Sequence, residues 1–513
     1  MYTIRWNAGI RCLLVACLLL QSSAMLWAQE GKKKTQADPA EIAELKKAVE
    51  ADLKNAEAHA AYIKAVGAED TSLNTQYQQW SSQHPDLFEI PLAYAEALYR
   101  AELPAAKPWL EKLVQLNPGY AKGYQMLWID AERWGDFAAG REFLRKAVEA
   151  DPSSPDHAFY YASSFNNVDS ARHHQLMLAM DQKFPGTERA AQALYWLANR
   201  SKSPKIKEEV YQLTKSRYNL VRSNWASGAM SEYYDFLLKD KPAKALALSQ
   251  HMLTLDTAQN FRKPWEQRRD ISKALTEADK LIAAKKYAAA FDLLNPVKPM
   301  RYSSSSEVLL NAKMKALAGK GEYSKAYDTV LVAYSISPTD ELIGLLKQYA
   351  RKLGKPESSI EQEVWAKRKA AGKPATVFNL DNYLTPGKTS LADLKGKVVL
   401  VTYWFPGCGP CRGEFPHFEN VVQQFSKDQL AYIGINMAHE QDPYVAPFMR
   451  QSGYSFVPVR DEPDNRGNLE ARGAPTNYLI DKNGNIIFAN FRTHAHNERT
   501  LELMIRELLA AGV

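Results

Sequence analysis

Cysteine is scarce in this sequence. Its 513 residues hold four, Cys12, Cys17, Cys408 and Cys411. A fold stapled by many disulfides is therefore excluded. Long apolar runs are scarce too. Cys12 to Leu20 is an unbroken run of nine residues, well short of the roughly 20 that a membrane-spanning helix needs. Dense basic tracts are missing, and Lys32-Lys33-Lys34 reads as a solvated linker, so no nucleic-acid partner is expected. Glycine and proline, at 25 and 26 residues, are too few for extended disorder.

What is present begins with a leader. Arg5 and Arg11 precede the apolar run, and Ala28-Gln29 offers a small residue for cleavage. Residues 1–28 have the pattern of a secretory signal peptide, with 29–37 as a linker. An exported, periplasmic location is expected. Leu14-Val15-Ala16-Cys17 resembles a bacterial lipobox but sits too early in the apolar run, so lipoprotein anchoring at Cys17 is disfavoured. Removal of the leader takes the formal charge from +7 to +5 and leaves Cys408 and Cys411 as the last two thiols. A single pair two residues apart closes too short a loop to stabilise a chain of this size. Chemistry is the better reason for it.

The chain is too long for one core, and several domains are expected. From about Asp38 to Glu363 it is rich in Ala, Leu, Lys, Glu and Gln, with apolar residues three and four apart, a helical pattern. Pro85, Pro118, Pro152 and Pro185 are separated by 33, 34 and 33 residues. A helix ending before each proline at that period predicts paired helices stacked in an array. The stretch resembles tetratricopeptide repeats. Gly140, Leu144 and Ala147 fall where two helices meet closely, and Gly321-Glu322-Tyr323 opens a late repeat closing at Ser337-Pro338. The period is kept over 38–200 and is more degenerate over 201–365. The resemblance implies a protein partner at the helices, with Tyr94, Trp109, Tyr124, Trp128, Trp134, Tyr160 and Tyr161 either lining a groove or filling the inter-helix core. His173-His174 reads as a surface pair rather than a metal site.

Composition shifts at Ala371-Gly372-Lys373-Pro374, and 366–513 is expected to form an α/β domain. Lys397 to Trp404 is a continuous β-prone run, predicting a central strand covered on both faces. Cys408-Gly409-Pro410-Cys411 follows, then a helix to about Ser426, a strand over Leu430 to Asn436 and a helix from Pro443 to Ser452. Asn477 to Asp481 and Asn485 to Ala489 flank Lys482-Asn483-Gly484, a hairpin signal. Glu498 to Ala511 closes as an amphipathic helix. The order is βαβα, then ββα.

A CxxC pair at a strand-to-helix junction in that order resembles the thioredoxin fold. Residues 372–513 resemble the TlpA/ResA-like family of exported thiol–disulfide oxidoreductases. Gly372-Lys373-Pro374-Ala375, Leu391 to Val401, Glu414-Phe415-Pro416 and Gly473-Ala474-Pro475-Thr476 carry the likeness. The whole is thus expected to be multidomain, an all-α tetratricopeptide-like array followed by an α/β thioredoxin-like domain. Cys408, at or just before a helix N-terminus, has its thiolate favoured by unpaired N–H groups and the helix dipole. It is the expected nucleophile. Cys411, one turn deeper, is the expected resolving thiol. The resemblance makes Glu414 a buried acid that relays protons and Pro475 a cis-proline facing the cysteines. It implies reduction of protein disulfides, with a membrane-bound electron donor and no cofactor or metal. Gly407 replaces the family's tryptophan, and Thr402 stands where thioredoxins carry a buried Asp.

Three rival readings follow from the same residues. A peroxidase needs Thr or Ser where Phe405 stands. Copper delivery would draw on His439, His494 or His496, but Pro between the cysteines is redox spacing. A scaffold with a secondary redox domain is compatible with the main reading.

Overall fold

A computed structural model describes residues 38–301 and 303–511. The predicted leader 1–28 and the linker 29–37 lie outside the described residues. Two compact units are resolved, one ending at Leu98 and the other running from Tyr99 onward.

The first unit holds the helices Pro39–Ala51, Ala56–Val66 and Thr71–Gln83, and most of Glu89–Arg100. Side chains of Asp38, Asn55 and Asp70 cap the first three by accepting from first-turn N–H groups. The unit's core is aromatic: Tyr77 stacks on Tyr94 with ring centroids 4.7 Å apart. Buried His59 bonds the Tyr77 hydroxyl at 2.7 Å and the Leu53 carbonyl at 3.0 Å.

The second unit begins with more helices, from Ala106–Leu116 to Ser358–Ala371. Helices end immediately before the periodic prolines: Ala106–Leu116 before Pro118, Phe137–Ala150 before Pro152, Ser170–Lys183 before Pro185. The residue before a proline is driven out of the α region, and the ring supplies no N–H to continue the ladder. Gly140, Leu144 and Ala147 are all buried on Phe137–Ala150, where a Cβ on Gly140 would lie 3.3 Å from the Trp128 ring. Between 201 and 300 the period fails because one helix, Gln259–Ala283, runs for 25 residues. Trp109 and Tyr124 are buried, whereas Trp128, Trp134, Tyr160 and Tyr161 are half-buried. His173 is not the surface residue expected from its sequence: it is 5% exposed, and burial pushes its pKa down to about 4.

The C-terminal part of this unit holds eight strands: β1 Lys373–Pro374, β2 Asn379–Asp381, β3 Lys388–Ser390, β4 Val398–Trp404, β5 Leu430–Asn436, β6 Val457–Arg460, β7 Thr476–Ile480 and β8 Asn485–Ala489. Six form one sheet in the order β1-β8-β7-β4-β5-β6, and β2 pairs with β3 apart from it. β4 is parallel to β5 and antiparallel to β7. Every residue of β4 is buried. Val398, Leu400 and Trp404 face one core and Val399, Val401 and Tyr403 the other, as the two-residue period of a strand requires. The helices Gly409–Val422, Asp442–Ser452 and Glu498–Ala510 complete the α/β layer. The strand β6 and the short β1–β3 were not expected.

The α/β part and the helices before it are joined by polar contacts, of which those of Arg368 and Asp130 are buried and the Arg499–Asp340 pair is exposed. Arg368, 4% exposed, pairs with Glu507 and donates to the carbonyls of Ser335 and Tyr334 at 3.0 and 3.2 Å. Arg499 pairs with Asp340 at 2.9 Å. The Tyr444 hydroxyl donates to buried Asp130 at 2.8 Å. Phe137 and Trp365, from the helical region, pack on the same apolar core as Cys408 and Cys411. No described helix is long and apolar enough to cross a membrane.

Candidate active site

The continuous apolar run of β4 carries the chain through the middle of the sheet to the strand's C-terminal end, where Phe405-Pro406-Gly407 turns it into the helix Gly409–Val422. Cys408 is the N-cap of that helix, and its Sγ accepts from the Cys411 N–H at 3.2 Å. Pro410 sits in the first turn, where a missing N–H has no partner to lose. Cys408 and Cys411 are joined as a disulfide. They are 1% and 0% exposed, while Gly409 and Pro410 between them are open to solvent. The N–H donor and the free helix N-terminus are what a thiolate at Cys408 needs.

Glu414 lies one turn beyond Cys411 and is 6% exposed. Its carboxylate accepts from Asn477 Nδ2 at 3.0 Å and from the Thr493 N–H at 3.1 Å, with the Arg492 guanidinium 3.6 Å away. Burial pushes its pKa up, and those three partners offset part of the rise. Asn477 is directly opposite Thr402 in the β4–β7 ladder. The Ala474–Pro475 bond is cis, and Ala474 packs on the core that contains the two cysteines. The structure therefore brings Cys408, Cys411 and Ala474 of the 473–476 loop to one core and sets Glu414 on the buried face of the same helix.

Sequence reasoning missed the residues around the turn. The Gly407 N–H donates to Gln441 Oε1 at 2.6 Å. Arg412 donates to the Pro406 carbonyl at 3.0 Å and pairs with Glu132 at 2.9 Å. Asn477, Arg492 and Thr493 around Glu414 were missed as well. None lies in a motif, and apart from Arg412, which follows Cys411 directly, only the fold brings them near. Of the histidines in the copper reading, His439 bonds the Asp461 carbonyl at 3.0 Å, and His494 lies beside His496 with ring centroids 5.9 Å apart.

Comparison with known proteins places these features in context. Residues 370–502 match the family model described as Redoxin. The chain is similar to the thioredoxin-like protein YneN of Bacillus subtilis, 31% identical over 26% of this chain and 79% of that protein. It is also similar to two proteins called thiol-disulfide oxidoreductase ResA. The one from Bacillus subtilis is 33% identical, over 23% of this chain and 64% of its own length. The one from Geobacillus kaustophilus is 32% identical, over 26% of this chain and 77% of its own length. With a CxxC pair capping the helix after a buried central strand, the C-terminal part of the chain belongs to the ResA-like thioredoxin family of thiol–disulfide oxidoreductases.

Proposed function

We propose that the protein is an exported reductase of protein disulfides, with Cys408 as nucleophile and Cys411 as resolving thiol. The observation that carries this is the Cys408 Sγ at the helix N-cap, accepting from the Cys411 N–H at 3.2 Å. The Cys408 thiolate attacks one sulfur of a substrate disulfide, forms a mixed disulfide and releases the other substrate sulfur as a thiolate. Cys411 then attacks the Cys408 sulfur. The second substrate thiol leaves, and the Cys408–Cys411 disulfide remains. Two electrons have passed to the substrate, and a dithiol donor must restore the pair. In an exported compartment that donor is membrane-bound.

Glu414 takes the proton relay to Cys411, a role supported by its burial and raised pKa. Pro475 supports pairing of an extended substrate beside the cysteines. The division into helical repeats over 38–200 and 201–365 and a redox domain over 366–513 belongs to the same proposal. So does the signal peptide over 1–28. The tetratricopeptide-like helices bind a protein partner or the substrate, a role supported by the half-buried rings of Trp128, Tyr160 and Tyr161.

The test is turnover of insulin disulfides by the full mature chain with dithiothreitol. Cys408→Ser abolishes it. Cys411→Ser accumulates mixed disulfides at Cys408, because the resolving thiol is gone. Turnover that survives Cys408→Ser overturns the mechanism.

A further inference from the structure

The loop that leads into Cys408 is held from outside the α/β layer. Its Gly407 N–H is one residue from the nucleophilic sulfur and donates to Gln441 Oε1 at 2.6 Å. Gln441 is 3% exposed, and its Nε2 donates onward to Glu102 Oε2 at 2.5 Å. Glu102 belongs to the helical array, in the turn before Ala106–Leu116. Its φ of 55° is left-handed, a conformation that costs a residue with a Cβ about 1–3 kcal/mol and persists where the surroundings enforce it. Arg133 enforces it here, donating to the other Glu102 oxygen at 2.5 Å. A second arm runs parallel: Arg412 ties the Pro406 carbonyl to Glu132 of the array.

We infer that the helical array is a working part of the active site, with Gln441 and Glu102 as positioning residues that set the redox equilibrium of the Cys408–Cys411 pair. The inference rests on the proposed roles of the two cysteines. Gly407 belongs to the same device. A Cβ there would meet Gln441 Nε2 at 2.9 Å and Oε1 at 3.0 Å, so the family's tryptophan gives way to the relay. Adhesion alone does not account for the arrangement, since Arg368–Glu507, Tyr444–Asp130 and Arg499–Asp340 already join the two parts. The relay differs from those contacts in ending on a backbone donor beside the reacting sulfur.

The chemical consequence has a direction. A reduced pair carries a Cys408 thiolate, which gains from every N–H donor it can recruit. The relay commits the Gly407 N–H to Gln441 and so withholds it. Breaking the relay frees that donor and favours the dithiol. The charge of Glu102 adds little, because Arg133 balances it.

The test equilibrates the full chain with reduced and oxidised glutathione. Glu102→Ala and Gln441→Ala are each expected to raise the equilibrium constant toward the dithiol at least threefold, about 14 mV for a two-electron couple. Both act on one N–H, so the double variant shifts no further than either single one. Glu102→Gln keeps an acceptor for Gln441 and stays within threefold of the unaltered chain. Shifts that add, single variants that leave the constant unmoved, or a Glu102→Gln shift as large as that of Glu102→Ala overturn the relay. Loss of insulin turnover in Cys408→Ser is read separately. A retained nucleophile role with an unmoved constant sinks the relay alone.

Discussion

Glu414 holds a carboxylate where water is scarce. Burial raises its pKa, so the acid form persists to higher pH than in an exposed glutamate. In the proposed mechanism it accepts and returns the Cys411 proton. Glu414→Gln keeps the shape and removes the titration. Insulin turnover at neutral pH is expected to fall about a hundredfold, within the usual range for general acid–base catalysis. The pH–rate profile should lose its acid-side limb. An unchanged profile would leave Glu414 with a structural role only. Gly407 makes a second prediction at this scale. Gly407→Trp drives a side chain into the space of Gln441 and is expected to cost about 1–3 kcal/mol, read as a lower urea midpoint.

Among the elements, the long and strongly patterned ones were legible. The apolar run of β4, the strand β5 and the hairpin β7–β8 lie within a residue of where the sequence puts them, because each is buried or flanked by turn chemistry. β6 was not legible. Pro458 interrupts it, and a proline normally argues against a strand unless the strand lies at an edge. β6 is the edge of its sheet. The turn at Gly135 shows how elements set the site. Its φ is +77°, and a Cβ there would lie 2.8 Å from the Phe448 carbonyl oxygen. Gly135→Ala meets both obstacles and is expected to lower stability by about 1–3 kcal/mol. Arg368→Ala leaves Glu507 without its buried partner and is expected to cost about 3 kcal/mol. Denaturant unfolding of the full chain measures both.

For the whole molecule, the join between the helical array and the α/β layer is expected to respond to pH through Asp130. Asp130 is 1% exposed, and burial pushes its pKa up to about 6 from an ordinary value of 3.8. Its folded pKa is the higher one, so the folded chain binds more protons between those values. Stability contributed by Asp130 is complete below pH 4 and is lost as the pH rises through 6. The difference amounts to about 3 kcal/mol. Asp130→Asn is expected to flatten the pH dependence of unfolding by about that much between pH 4 and 6. Equal slopes in the two chains would disprove it. His173 acts oppositely across nearly the same window: its pKa is lowered to about 4, so its contribution is present above pH 6.5 and lost on acidification. Comparing Asp130→Asn with the unaltered chain isolates the Asp130 contribution, because His173 is common to both.

By itself the sequence determined the helix-rich first part with its proline-marked stops, the α/β order of the last part and the pair Cys408–Cys411 at a strand-to-helix junction. Local forces dictate all of these: hydrophobic period, caps, breakers and the chemistry of a lone CxxC. Only the tertiary structure decided which distant side chains surround that pair. Gln441, Glu102 and Glu132 carry no motif, and the last two are some 300 residues from the cysteines in sequence. Polar groups become partners when burial leaves them nothing else to bond, and burial is a property of the assembled fold.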